Sequence, residues 1–493
     1  MAQFSFIWFY GNLSAYTDSY FRFSCYPECL DCNSQWVISL YVAGNFPGAF
    51  MVKSMTNRFG LKWTGIIAMV MANTALLGSA WSLQYSVAWT AVIYGTLLGT
   101  AAGITASVSM QVISGWAPER AAFFMATSTG MATMLSVLQN QIITAYVNPE
   151  NLKPDAQIGP KTYFSQPEIL DRVPDVVVIL GAMTFGLQAL GYLLTKTPPT
   201  RSKDSPNKMD DSLEVTNSNT DKDEERIPFE HANDLSSLEI NHAVKHYGAN
   251  VQTCKEIDLK EDSKTETRNI SCINNCRNSV VQIDDERASK DIRMKELRSY
   301  TPKEMIRSPV FYALFFFGMA LQHSLLLKSN FYKKFGLLYI RNDKYLTLVG
   351  TLIPITSSSS RIVIGTLLDK SILSFKDATM FGLSLNCVMC AFWYIAPQVN
   401  DILYMFVVLS LAAAQSLYYV VIPSAPLRLF GPNHISSNYG LVLSCTFIIS
   451  FLTPVVNTAL LHALGWQWVF NSGAIFSLLV LCLVALTKFN TQQ

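Results

Sequence analysis

A run of about 20 apolar residues, enough helix to cross about 30 Å of hydrocarbon, recurs along the whole chain and limits what it can fold into. The runs are apolar all round and lack the alternation over about 10 residues that a membrane strand carries. Helix is then the structure that satisfies their backbone polar groups away from water. The expected spans are 2–20, 35–55, 63–81, 87–113, 121–147 and 175–194, then 309–330, 346–368, 376–396, 402–422, 439–461 and 467–487. Of 493 residues, 50% are hydrophobic and 15% charged, too little charge for the surface of a soluble chain this long. The expected fold class is all-α integral membrane, about twelve transmembrane helices in two pseudo-symmetric six-helix bundles.

Between the two sets lies a polar segment, 196–304, rich in Asp, Glu, Lys, Ser and Asn and poor in aromatics. It cannot bury enough apolar surface to offset its ordering entropy, so it reads as a largely disordered loop. The domain boundaries are then 1–195, 196–304 and 305–493. Lys and Arg beside the helix ends favour a cytoplasmic N-terminus. That puts Lys53, Arg58, Lys62, Arg120, Lys370, Lys376 and Arg428 inside, with Arg22, Lys153, Lys161, Arg172, Lys333, Lys334, Arg341 and Lys344 outside. Both termini and the polar segment are therefore expected in the cytoplasm, in the plasma membrane or an endomembrane. The stretch 333–344 runs against the trend and reads as a solvated outer loop, or as one that draws anions to an outer mouth.

Met1 runs into an apolar stretch with no basic n-region, so no cleavable signal is expected. The first span has barely one bilayer thickness of helix, which leaves either a minimal overhang or a clipped N-terminus. The net charge of +2 argues against nucleic acid. Cys25, Cys29 and Cys32 cluster in an outward loop. A disulfide there would leave one thiol over, and no His stands near enough to suggest zinc. With no phosphate-binding loop, metal cluster or nucleophile constellation, the chain is not expected to be an enzyme or to need a cofactor.

The chain also repeats itself. Asn57-Arg58-Phe59-Gly60-Leu61-Lys62 follows the second apolar run, and Gly365-Thr366-Leu367-Leu368-Asp369-Lys370 follows the second run after the polar segment. A polar, basic turn in the same place of each half is the mark of a two-fold-symmetric transporter. Cations there face bare helix carbonyls, and Gly60 permits a tight reversal. Asn57, Arg58, Gly60, Asp369, Lys370 and Arg120 are thus candidate gating residues. A purely positive-inside anchor is the alternative.

On these turns the chain resembles the major facilitator superfamily, whose pattern is Gly, three residues, Asp-Arg, any residue, then Gly and basic residues. The first copy has Lys53 and Asn57 in place of the Gly and Asp, while the second keeps Gly365 and Asp369 with Lys370 for the Arg. Within it the chain is similar to the branch of monocarboxylate transporters and oxalate/formate antiporters. That likeness rests on Gly115-Trp116-Ala117-Pro118-Glu119-Arg120, Arg361-Ile362-Val363-Ile364-Gly365 with Asp369, and Leu429-Phe430-Gly431 running to Tyr439-Gly440. Helix 1 carries Tyr10-Gly11-Asn12-Leu13-Ser14-Ala15-Tyr16 rather than the acidic, glycine- and tryptophan-rich signature of animal monocarboxylate transporters. Ser444-Cys445-Thr446 stands where the oxalate exchanger type places a substrate lysine, which argues against a dicarboxylate.

An Arg at the centre of a membrane helix costs roughly 2.5–3.5 kcal/mol on insertion scales, so Arg361 needs a reason to be there. The resemblance implies that it grips a substrate carboxylate, for which its planar fork is suited; a structural ion pair is the alternative. His323 is a candidate proton carrier or a neutral, hydrogen-bonded histidine. Asp18 and Arg22 are spaced for an i,i+4 pair. Gln415, Tyr418 and Tyr419 share a face, as do Asn12 and Tyr16, and all five are candidate cavity lining. Gly95, Gly99 and Gly103 would let another helix approach closely, and Ser357 to Ser360 could bend the helix before Arg361.

The expected function is secondary active transport of a small organic solute, a monocarboxylate-type anion, by alternating access, with H+ as a candidate co-substrate and the monomer as the working unit. A carrier of neutral or zwitterionic solutes is one alternative. A transporter-like receptor signalling through 196–304 is another.

Overall fold

The computed structural model describes residues 5–25, 34–116, 121–194, 299–431 and 434–489. Arg120, Cys29, Cys32 and residues 196–298 of the polar segment lie outside them. The described residues are helical apart from one hairpin, β1 (Ala156–Ile158) against β2 (Lys161–Tyr163), and short connections. The first half consists of α1 (Phe6–Tyr20), α2 (Gln35–Ser82), α3 (Leu98–Trp116), α4 (Ala121–Val147) and α5 (Arg172–Leu194). Val87–Thr90 and the wider turns of Ala91–Leu97 lead straight into α3. The second half consists of α6 (Pro309–Tyr339), α7 (Asp343–Asp369), α8 (Phe375–Trp393), α9 (Asp401–Phe430), α10 (Ile435–Leu464) and α11 (Trp466–Leu486).

Spans 35–55 and 63–81 are the two arms of α2, which reverses at Gly60 with φ of 78° and ψ of 166°, as the sequence leads one to expect. That backbone lies in the region other L-residues avoid. Counting both arms, each half contributes six spans. One span differs from the sequence expectation. The seventh span does not stop at 330, because α6 continues to Tyr339 and carries Lys333 and Lys334 into the interior. The outer loop expected at 333–344 is thus mostly helix and buried.

The outside is apolar, and polar side chains are set within the largely apolar interior. Leu77, Val178, Phe381, Val399 and Leu479 are exposed on the flanks, while Asn12, Ser14, Asn140, Asn386 and Gln415 are fully buried. Glycines let the interior close. A Cβ on Gly95 would stand 2.7 Å from the Val37 carbonyl oxygen, and one on Gly99 or Gly103 would collide with the carbonyls of Tyr41 and Asn45. From the facing arm, a Cβ on Gly44 would meet the Thr96 carbonyl oxygen at 2.7 Å. Small residues thus bring the two backbones together, as membrane helices without a hydrophobic drive require.

The two halves meet most closely along α4 and α7, in a ladder of side-chain hydrogen bonds. Its rungs are Thr133 Oγ1 with Ser358 Oγ (2.6 Å), Asn140 Nδ2 to the Gly350 carbonyl (3.1 Å), Gln141 Nε2 to Thr351 Oγ1 (2.8 Å) and Thr144 Oγ1 with Thr347 Oγ1 (2.7 Å). Asn148 Nδ2 donates to Asp343 Oδ2 at 3.1 Å as the last rung. At Ser357–Ser360, where a bend was expected, α7 continues as helix from Asp343 to Asp369 with Pro354 inside it. Those serines serve contacts: Ser358 belongs to the ladder, and Ser357 meets Arg361.

Candidate functional site

Arg361 lies two turns before the end of α7, about 12 Å of helix from Asp369, and is 1% exposed. Its Nη2 donates to Ser357 Oγ one turn earlier (3.3 Å), while its Nε has no hydrogen-bond partner. The guanidinium stands 4.1 Å from the ring centroid of Tyr419 on α9 and 5.2 Å from that of Trp8 on α1. Tyr418 meets Tyr419 edge-on at 5.0 Å. Gln415, one turn earlier on α9, is fully buried with both amide atoms unpartnered.

A second cation faces the same indole. Lys328 of α6, 1% exposed, holds its Nζ 4.9 Å from the Trp8 centroid and makes no hydrogen bond. Ion pairs form elsewhere, and no carboxylate among the described residues pairs with Lys328 or Arg361. Taking one such charge out of water costs several kcal/mol by order of magnitude. A desolvated cation–π contact returns about 2 kcal/mol, which falls short. Lys328 and Trp8 line a tight crevice between α1, α6 and α7 with Ile7, Gly11, Ser329, Tyr332 and Ile353, and the Arg361 guanidinium shares the Trp8 indole with Lys328.

Asn12 and Tyr16 do not join Arg361. They belong to a second cluster at the end of the molecule where α6 stops and α7 begins. There Lys333 Nζ pairs with Asp343 Oδ1 at 2.7 Å, both side chains fully buried. Tyr16 donates its hydroxyl to Asp343 Oδ2, and Lys333 donates to Asn12 Oδ1 (2.6 Å) and to the Tyr16 oxygen (3.0 Å). Asn12 Nδ2 in turn reaches the Asn140 carbonyl (3.0 Å) and Thr144 Oγ1 (3.1 Å). Beside it, Lys334 pairs with Asp18 at 2.7 Å and donates to Ser34 Oγ at 3.2 Å. Lys334 therefore takes the place expected for Arg22, because α6 passes closer to Asp18 than sequence spacing reveals. The hairpin covers this end: Trp466 Nε1 donates to the Pro160 carbonyl (2.7 Å), and the Ser19 hydroxyl accepts from Phe164 N (3.0 Å). Every one of these ties except Lys333 with Asp343, Asn12 with α4 and Ser19 with Phe164 joins the first half of the chain to the second.

His323 turns away from both clusters. Its Nδ1 lies 2.9 Å from Thr453 Oγ1 on α10 and its Nε2 3.1 Å from Ser472 Oγ on α11, so hydroxyls satisfy both ring nitrogens. The turn residues fare differently in the two halves. Asn57, Arg58 and Gly60 are exposed at the elbow of α2. Asp369 pairs with Arg428 at the end of α9 (2.6 Å), and Arg428 also donates to the Leu368 carbonyl (3.1 Å), while Lys370 stays exposed. Asp369 and Arg428 are each nearly half exposed, so the pair is worth about 0–1 kcal/mol.

Sequence reasoning passed over Lys328, Trp8, Asp343 and the α4 amides. Lys328 carried a usable signal, because an ammonium inside the expected span 309–330 needs a reason as much as Arg361 does. Asp343 carried none: it reads as a residue beyond a helix end until α6 is known to extend.

Two six-helix halves joined along polar seams, with buried cations at their centre, define a membrane transporter fold of the alternating-access kind. A family model described as Major Facilitator Superfamily matches residues 33–454, and the chain belongs to that superfamily. No curated protein sequence matches it. Among solved structures it is similar to a partially occluded inward-open conformation of the xylose transporter XylE from E. coli, at 11% identity and TM-score 0.56, covering 98% of this chain and 96% of that one. It is similar to a D-xylose-proton symporter at 13% identity and TM-score 0.59, covering 99% and 97%. A POT family transporter in complex with 5-aminolevulinic acid matches at 11% and 0.57, covering 98% and 94%. At such identities the likeness is one of fold. The protein is therefore a multi-pass membrane protein of a transporter superfamily and not an enzyme.

Proposed function

We propose that the chain is a secondary active transporter of a small organic anion whose carboxylate binds Arg361. The observation that carries this is a buried guanidinium with an unused Nε and no acidic partner among the described residues, flanked by Trp8 and Tyr419. A structural arginine would be held by a carboxylate, since an uncompensated buried charge is destabilising. Tyr419 and Gln415 complete the proposed lining, and Tyr418 supports Tyr419 from behind. Asn12 and Tyr16 are assigned to closure of the Asp343 end rather than to the solute. Asn57, Arg58, Gly60, Asp369 and Lys370 keep a gating role as a proposal, with Arg428 added as the partner of Asp369.

With both termini cytoplasmic, as the Lys and Arg distribution favours, the Asp343 cluster is the outer closure. The solved D-xylose-proton symporter makes H+ a reasonable co-substrate. For this chain the Asp343 cluster is favoured over His323 as the coupling site, because Asp343 accepts from Tyr16 and Asn148 across the halves, whereas both His323 nitrogens are held by hydroxyls of its own half.

The test is uptake of labelled monocarboxylates, dicarboxylates and amino acids into proteoliposomes, with and without a pH gradient. Carboxylates should enter or compete, and Arg361→Lys should reduce that uptake at least about ten-fold by losing the bidentate fork. If carboxylates neither enter nor compete, or if Arg361→Lys transports normally, the anion reading fails and a neutral or zwitterionic solute takes its place.

A further inference from the structure

We infer that the site takes a solute carrying two negative charges, with Lys328 of α6 as the second anchor; this rests on the Arg361 reading above. Lys328 and Arg361 stand on one indole, at 4.9 and 5.2 Å from its centroid, so the two cations lie within about 10 Å of each other. Both are 1% exposed, and each has a donor with no acceptor among the described residues: Lys328 Nζ and Arg361 Nε. The other buried Lys residues among them are each matched by a carboxylate, Lys333 with Asp343 and Lys334 with Asp18. A monocarboxylate would neutralise Arg361 and leave Lys328 uncompensated beside it. A short dicarboxylate matches both charges and spans the gap with its carbon chain along the Trp8 face.

The geometry also answers the argument from α10. Ser444, Cys445 and Thr446 offer no cation there, but α6 delivers one from the other side of the crevice. Ser329 and Tyr332, buried on the same wall, add hydroxyls, and the Tyr332 hydroxyl has no hydrogen-bond partner. The two carboxylates would thus be read differently, one by a planar fork and one by an ammonium with neighbouring hydroxyls.

The experiment is ligand-induced thermal stabilisation of the purified full chain in detergent, titrated with succinate, monomethyl succinate and lactate. In the wild type, succinate should bind about ten-fold or more tighter than its monomethyl ester, which keeps the shape and loses one charge. Lys328→Gln should abolish that preference, bringing succinate and its monomethyl ester to within about two-fold of each other, and Lys328→Arg should restore it. Equal affinity of the wild type for succinate and its monoester overturns the inference without any variant, as does a Lys328→Gln protein that keeps the preference. If lactate binding depends on Arg361 while the second charge adds nothing, this inference alone falls. If no carboxylate stabilises the wild type, the Arg361 reading falls with it.

Discussion

Asp343 is held by Lys333, Tyr16 and Asn148 in a site with no exposure. Asp343→Asn would leave the Lys333 ammonium buried and uncompensated, a loss of about 3–5 kcal/mol. Thermal unfolding in detergent should show it as a clear fall in midpoint. The double variant Lys333→Met/Asp343→Leu should recover most of that fall, since apolar side chains of similar volume replace a buried pair at little net cost. If the double variant is as unstable as the single one, the cluster stabilises the protein through something other than its charges. At this scale the sequence was uneven. Arg361 was legible because one arginine in a long apolar run needs a reason to be there. Lys333 and Lys334 were not, because two adjacent lysines followed by Gly336 look like a helix end meeting water, and only their partners on α1 and α7 explain burial. Asn12 and Tyr16 were found as interior polar residues, yet their spacing could not say which of two clusters they would join.

Elements read more reliably than sites, since apolar length and small-residue spacing are local. The Gly95, Gly99 and Gly103 row was expected to admit a close neighbour, and the near arm of α2 fills it. Gly99→Val places branched carbon where the Tyr41 carbonyl already stands. The expected cost is about 1–3 kcal/mol or more of overpacking, seen as reduced recovery of monodisperse protein and a lower unfolding midpoint. The Gly60 elbow is the counterpart: its Cβ would meet open space, but its φ of 78° disfavours any L side chain. Gly60→Ala should cost about 1–3 kcal/mol from backbone strain alone.

For the whole molecule, alternating access requires the two halves to part at one end while staying together at the other. In this conformation α4 and α7 are joined from Asp343 to Ser358. Thr144→Cys with Thr347→Cys puts two thiols where hydroxyl oxygens stand 2.7 Å apart. Oxidation should therefore stop uptake, reduction should restore it, and each single variant should be unaffected by the oxidant. Uptake that persists with the cross-link formed would mean that this seam does not open during transport. Six spans, a polar segment and six spans were readable from the chain because the bilayer imposes one length on every helix. The seam was not, since it depends on amides and hydroxyls facing each other across about 200 residues of sequence.

The rungs of that seam differ in kind along its length. From Ser358 to Thr347 they are neutral hydroxyls and amides, whose partners an invading water molecule replaces at little cost. Beyond Thr347 the closure ends in carboxylate and ammonium, which water exchanges far less readily in a dry interior. Separation that starts at the Asp343 end must surmount its strongest contact first, whereas once that contact yields, the rest follows downhill. Such a graded fastening makes the first step the slow one, and it turns whatever loosens a single aspartate into the pacemaker of the cycle.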